Sequence, residues 1–253
     1  MVESRQYQLH FSRLLPQAMF DARGRRNKAQ TMLRVLRDHL GSDLNHLRLL
    51  DIGTSTGIIA DFLADHFREV IGIDIDAPAL AFGKNNCRRT NLYFAVGDSL
   101  NLAFPDNAFD VVVCAQVYEH VPDPKRMVQE IYRVLKTGGV CYFAAGNRLT
   151  LMEPHYRLPL LSVLPGPIAN LYIRLAGKSS HYHEHHLTYW GLKKLARSFE
   201  IIDYTKKIVA APDSFNAGYM LREGSWKTIL ARVVVRAAYW LFPGYIWILK
   251  KAQ

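Results

Sequence analysis

Between residues 47 and 145, short apolar runs alternate with helix-like segments, and that alternation leaves the chain few architectures. HLRLLDI (46–52), EVIGIDI (69–75), LYFAV (92–96), AFDVVVCAQV (108–117) and GVCYFAA (139–145) are runs of strand length. They are continuously apolar, as strands covered on both faces must be. GIIADFLADHF, PALAFGKNNCRR and KRMVQEIYRVL separate them with helical patterns. Strand and helix in alternation, joined by right-handed crossovers, predict an α/β fold: a doubly wound, mostly parallel, Rossmann-like sheet. Further strands at EIIDYTKKIVA (200–210) and GYIWILK (244–250) bring the expected total to seven.

The flanks divide the rest. Ala29, Met32, Leu33, Leu36 and Leu40 recur at helical spacing, so 1–46 reads as an N-terminal helical segment. Residues 47–146 form the ligand-binding core. Residues 147–187 carry Pro154, Pro159, Pro165 and Pro167 and are too long for a strand–helix loop, so they read as a cap inserted after the fifth strand. Residues 188–253 supply C-terminal helices, at LTYWGLKKLARSF and 225–241, and the last strands. One domain over 1–253 is the simplest count for this length.

Cys87, Cys114 and Cys141 are widely spaced and form no CxxC, which predicts reduced thiols in the cytoplasm. Met1 is followed by polar residues, and no apolar run reaches about 18 residues, so neither a secretory signal nor a spanning helix is expected. The net charge of +10 is uneven: residues 1–37 and 206–253 each carry eight basic against two acidic residues, leaving 10 − 12 = −2 for the middle. Basic ends suit an anionic partner, a membrane surface or an acidic macromolecule; plain solubilising charge explains them equally well.

The most informative stretch is LLDIGTSTG, 49–57. Gly53 and Gly57 make a G-x-x-x-G turn after the first strand, not the G-x-G-x-x-G of dinucleotide sites. A structural left-handed turn would account for the glycines alone. Asp51 adds a carboxylate that would repel a pyrophosphate but suits an ammonium group, while the helix N-terminus near Gly57 favours a carboxylate. A ligand with both groups is an amino acid. Asp74, ending the second strand, stands where ribose hydroxyls are commonly bound. Asp98 stands where an exocyclic adenine amine could donate; a solvated strand end and a turn-forming aspartate are the plain alternatives.

LLDIGTSTG, VIGIDID, GDSLNLAFPDNAFDVVVCAQVYEHVPDP and EIYRVLKTGGVCYFA, in that order, resemble class I S-adenosylmethionine-dependent methyltransferases, and within them the type 11 methyltransferase domain. The resemblance covers roughly residues 30 to 145. It implies S-adenosyl-L-methionine as cofactor and methyl transfer as activity. It places Asp51, Gly53, Thr54, Ser55 and Gly57 around the methionine moiety, Asp74 and Ile75 at the ribose, Asp98 and Ser99 at the adenine, and Gln116 beside the methionine end. Thr54 and Ser55 depart from the family's usual D-x-G-C-G-x-G, replacing its small residue and middle glycine.

Tyr118, Glu119 and His120 follow the fourth strand, at the edge where the methyl would point. His120, then Glu119, are the candidate bases; a structural start to the next helix is the alternative. SSHYHEHHLTYW brings His181, His183, His185 and His186 together with Glu184 and invites a metal reading, but no second ligand group is identifiable, so no metal is assigned. His183, His155 and Tyr156, together with Tyr118, are taken as residues facing the acceptor, against packing of the cap. In SWKTILARVVVRAAYWLF, Trp226, Ile229, Leu230, Val233, Val234, Ala237, Trp240 and Leu241 share one side, and Thr228, Arg232 and Arg236 the other. Such a helix either packs on its own sheet or lies in a bilayer interface. The second case predicts a peripheral membrane protein with a lipid-linked acceptor: a prenylquinone, polyprenyl or glycolipid intermediate. A soluble small-molecule acceptor, a non-catalytic cofactor-binding module and an RNA methyltransferase are the other readings. Against nucleic acid, AQVYEHV replaces any N/D-P-P-Y/F tetrad and no RNA-binding motif is present. Oligomeric state is not encoded in any pattern found.

Overall fold

The computed structural model of the chain describes Leu9, residues 11–14 and residues 19–252. Residues 1–8, 10 and 15–18 of the expected N-terminal helical segment, and Gln253, lie outside the described residues. Seven strands form one sheet: β1 Arg48–Ile52, β2 Glu69–Asp74, β3 Leu92–Val96, β4 Phe109–Ala115, β5 Leu135–Gly146, β6 Glu200–Asp203 and β7 Gly244–Lys250. Their order is β3-β2-β1-β4-β5-β7-β6. β1 to β5 pair in parallel, and β7 is antiparallel to both neighbours. The doubly wound, mostly parallel sheet expected from the sequence is therefore the observed one.

Side chains of a strand alternate between faces, so a strand buried on both sides splits its residues between two cores. β4 does this: Val112 and Cys114 join Leu50, Ile52, Ile131, Phe143 and Trp247 on one side. Val111 and Val113 join Leu33, Leu36, Leu49, Val70 and Tyr142 on the other. The helices begin where the sequence offers caps. Asp21 accepts from Gly24 ahead of Ala22–Leu40, Asp76 from Ala79 ahead of Ala77–Asn86, and Asp123 from Arg126 ahead of Pro124–Val134. The chain leaves β1 for β2 on one side and reaches β4 on the other. The crevice this opens at the carboxyl ends of β1 and β4 is where ligands of such sheets bind.

Residues 200–210 correct one expectation. Only Glu200–Asp203 is strand; Tyr204–Ala210 is a helix capped by Asp203. Tyr204, Thr205, Ile208 and Val209 are buried, a 3.6-residue spacing that the β-branched composition concealed. The inserted cap is present. It contains a helix, Gly166–Leu175, and a small core of Leu161, Ala169 and Ile173 against Tyr156, Tyr172 and Tyr182.

The helix Trp226–Ala237 packs in the opposite sense to the core reading. Thr228 is 0% exposed, whereas Trp226, Ile229 and Val233 are 69%, 57% and 55% exposed. The reason is local. Thr228 donates to the carbonyl of Arg222, and Arg232 reaches the carbonyls of Val209 and Ala210 and both oxygens of Glu223. Thr228 and Arg232 are thereby held against the fold, while Arg236 stays exposed.

Trp247 is fully buried, stacked on Tyr245 with centroids 5.4 Å apart and facing Phe143 at 6.5 Å. Trp247→Ala is expected to lower stability by about 3–5 kcal/mol. Urea unfolding followed by circular dichroism checks it, and a change below about 1 kcal/mol would show that the β5–β7 layer is not a core element.

Candidate active site

The chain turns sharply after β1. Gly53 and Gly57 have φ of 73° and 74°, and Ser55 has φ of 53°. The amides of Gly53 and Thr54 both donate to the carbonyl of Ile73, locking the turn onto β2. A Cβ on Gly53 would stand 2.6 Å from Val117 Cγ2, and one on Gly57 would stand 2.4 Å from the Phe94 ring. Both positions therefore exclude a side chain on two counts, conformation and space. Gly57 serves this turn and does not line the cleft; Gly53, Thr54 and Ser55 do.

Asp51 is buried and its Oδ2 has no hydrogen-bond partner among the described residues; the same holds for Thr54 Oγ1. Burial pushes the Asp51 carboxyl up to about 7. Asp74 accepts from the amides of Ser55 at 2.7 Å and Asp76 at 2.8 Å, yet burial still raises it above the usual carboxylate range. The Arg25 guanidinium lines the same cleft, within electrostatic reach of Asp51 and Asp74. The N-terminal segment closes over the turn. Ser12 N donates to Asp76 Oδ2, Thr56 Oγ1 to the carbonyl of Met19, and Ser55 Oγ to Met19 Sδ at 3.1 Å. Ser55 keeps the left-handed backbone of the glycine it replaces and uses its hydroxyl to tether this segment. Arg25 and Met19 were missed because neither belongs to a motif; they arrive from a distant helix and the approach to it.

Ile75, Gly97, Asp98 and Ser99 line the next part of the cleft, and Asp98 Oδ1 accepts from Leu100 N at 2.9 Å, shaping its loop. Gln116 follows β4 with φ of 56°, a strained position for a non-glycine residue and frequent at functional sites. It lines the cleft with His120, His155 and Tyr156.

Two acceptor-facing assignments are corrected. Tyr118 is buried, its hydroxyl donating to the carbonyl of Gly146 at 2.6 Å and accepting from Leu187 N at 3.0 Å, so it fastens the cap loop instead of meeting a ligand. His183 lies off the cleft beside His181. The loop contributes His186 and Glu184 in its place. Glu153, which belongs to no motif, holds His155: its Oε1 is 2.7 Å from Nδ1. Of the candidate bases, His120 is pushed down to about 3, by burial first and then by the charges of His155 and His186. At neutral pH it is uncharged and a weak base. Glu119 is wholly buried behind it, and burial raises its carboxyl.

The whole cleft encloses about 1440 Å³. A single small ligand needs about 300–1000 Å³, so there is room for a cofactor and a second molecule. The chain's groups fit S-adenosylmethionine. Asp51 offers an unused carboxylate oxygen to an ammonium, Arg25 a cation to a carboxylate, and Asp74 an acceptor to ribose hydroxyls.

Residues 50–143 match the family described as methyltransferase domain. The ubiquinone biosynthesis O-methyltransferase of Coxiella burnetii is 31% identical over 102 residues, 40% of this chain and 44% of its own length. The protein of the same name from Acinetobacter baumannii is 28% identical over 211 residues, 81% of this chain and 76% of its own. The S-adenosylmethionine-dependent methyltransferase of Mesorhizobium loti shares the fold with a TM-score of 0.56 at 18% identity, over 87% of this chain and 97% of that one. The chain thus spans less than half of the first relative. Sheet order, turn and match define the class, the class I S-adenosylmethionine-dependent methyltransferase fold. Within it, the stretch similar to the methyltransferase domain family is residues 50–143.

An ammonium ligand needs Asp51 ionised, and in the free protein its carboxyl sits at about 7. Affinity for S-adenosylmethionine should therefore rise with pH to a plateau above 7 and fall by up to about tenfold per unit below it. Asp51→Asn should bind weakly with no such slope; calorimetric titrations from pH 5.5 to 8 decide, and a flat wild-type profile would contradict the account. Gly53→Ala should abolish detectable cofactor binding and cost about 1–3 kcal/mol of stability, read by thermal melts with and without cofactor.

Proposed function

We propose that the chain transfers a methyl group from S-adenosylmethionine to an apolar, lipid-linked acceptor at an anionic membrane surface. When bound, that cofactor supplies an electrophilic methyl on a sulfonium. The protein's part is to orient it and to hold the acceptor in line. Asp51 and Arg25 fix the two ends of its amino-acid moiety, Asp74 the ribose, and the Gln116 corner directs the methyl toward His155 and Tyr156. The Ile59, Ile73, Val117 and Met152 side chains give the cleft an apolar lining.

The acceptor class rests on one observation: the apolar face of Trp226–Ala237 points outward. An exposed apolar face of that extent marks an interaction surface. Lys227 and Arg236 flank it, as suits anionic headgroups. The cap adds exposed Leu151, Met152, Ile168 and Leu171, and Met152 also lines the cleft, joining surface to site. Ring contact between Trp190 and Trp240, 5.5 Å apart, ties the end of the C-terminal helical region to the helix after the cap. No helix among the described residues is long and apolar enough to cross a membrane, so attachment would be from one side. Two relatives named for ubiquinone biosynthesis make a prenylated phenol the first acceptor to try. Arg232, on the side opposite that face, is engaged with Glu223 and is not part of that surface.

Transfer of labelled methyl from S-adenosylmethionine should be measured with a long-chain prenyl phenol in phosphatidylglycerol vesicles and with a short-chain soluble analogue. Ile229→Asp with Val233→Asp should lower transfer to the vesicle substrate at least about tenfold, the loss of roughly two buried aliphatic side chains. Transfer to the soluble analogue should stay unchanged. Equal transfer by the double variant in vesicles would overturn the membrane reading; no transfer to either substrate by the wild type would overturn the acceptor class.

A further inference from the structure

Beyond the cofactor end, His120, His155, His186 and Glu184 line the cleft, and Glu153 and Glu119 are buried close by, more histidine and glutamate than positioning requires. Glu153 and His155 come from the start of the cap, and His186 from the loop leading to the helix Tyr189–Leu195. One ligand-type atom of each lies within 4.8 Å of the other two. Glu153 Oε1 is 2.7 Å from His155 Nδ1 and 3.7 Å from His186 Nε2. The longer distance is no hydrogen bond. It is close to the edge, about 3.3 Å, of a tetrahedron with metal–ligand bonds of about 2.0–2.1 Å.

A second observation points to a missing cation. The His186 side chain is 1% exposed, and neither of its ring nitrogens has a hydrogen-bond partner among the described residues. A buried polar group in that state costs stability unless something else satisfies it. Around it, among the described residues, Glu119 is wholly buried with no hydrogen-bond partner for either carboxylate oxygen, and Glu184 is buried with none for Oε2. Three buried glutamates, 119, 153 and 184, so face the same few histidines with little positive charge to balance them.

We propose that Glu153, His155 and His186 bind one divalent transition-metal ion, with Zn²⁺ the best match, at the acceptor end of the cleft. Two imidazoles and one carboxylate are the donors of an open catalytic zinc site, with the fourth position left for water or a substrate oxygen. Mg²⁺, which takes oxygen ligands, is disfavoured by the same donor set. The His186 ring lies against the end of β5, where a Cβ on Gly146 would stand 3.2 Å from Nδ1 and 3.6 Å from Gln116 Oε1. The ion is thus placed beside the corner assigned above to the methyl. Its role, holding an acceptor oxygen in the open position, rests on the methyl-transfer reading; its existence does not.

The test uses the whole chain after dialysis against a chelator, without S-adenosylmethionine. Zn²⁺ and Mg²⁺ are titrated by calorimetry, and Co²⁺ by visible absorption. The expected result is one equivalent of Zn²⁺ with no Mg²⁺ binding, and intense tetrahedral Co²⁺ bands. His186→Ala and His155→Asn should each weaken Zn²⁺ by more than the ~10–100-fold that loss of an outer partner costs. His181→Ala with His183→Ala should change nothing. No stoichiometric Zn²⁺ binding, or binding lost only in the His181/His183 variant, would overturn the site. Should either cleft variant fail to fold, the wild-type Co²⁺ spectrum decides, since octahedral, weak bands contradict the three-ligand site. Cofactor binding is measured separately on the same sample, so failure of one reading leaves the other readable.

Discussion

The structure depends on a left-handed turn bolted to the centre of a parallel sheet. Gly53 and Thr54 both donate to the carbonyl of Ile73, so the turn after β1 is fixed by the end of β2. This leaves Asp51 in a place where burial works against its charge. A carboxylate held out of water with one oxygen unused is unfavourable by itself. It makes sense as half of a pair whose other half is the ammonium of a ligand. Phe94 under Gly57 and Val117 against Gly53 then require that neither glycine carry a side chain.

That turn was legible in the sequence because a short peptide encodes it: a strand, an aspartate, two glycines at fixed spacing. Asp74, Ile75, Asp98, Ser99 and Gln116, which line the cleft, were legible for the same reason, each lying at or just beyond the end of a strand. The alternation of apolar runs gave the sheet. What failed to show was anything set by tertiary contact. Tyr118 looks like a cleft residue from its place after β4, but its hydroxyl is taken by Gly146 and Leu187. His183 and His186 alternate in one loop, and only the fold decides which of them enters the cleft. Glu153 gives no sequence signal apart from its spacing to His155. The segment 200–210 misled because valine and isoleucine favour strands, while a cap at Asp203 started a helix.

Two further features share a logic of inversion. The helix Trp226–Ala237 turns Thr228 and Arg232 inward, where they find backbone carbonyls, and leaves its apolar face exposed. The cap buries charged and titratable groups, Glu153, Glu184 and His186, where a core would be apolar. Each arrangement is costly for the isolated chain. Each is offset if the chain works against a lipid surface with an ion and an acceptor in its cleft.

The central claim is that the crevice at the ends of β1, β2 and β4 is built for a nucleoside carrying an amino-acid group. Calorimetric titration of the purified chain with S-adenosylmethionine, using NADH as comparison, tests it most directly. The account predicts saturable one-to-one binding of the first and none of the second. Binding of NADH, or no binding of S-adenosylmethionine, would contradict it.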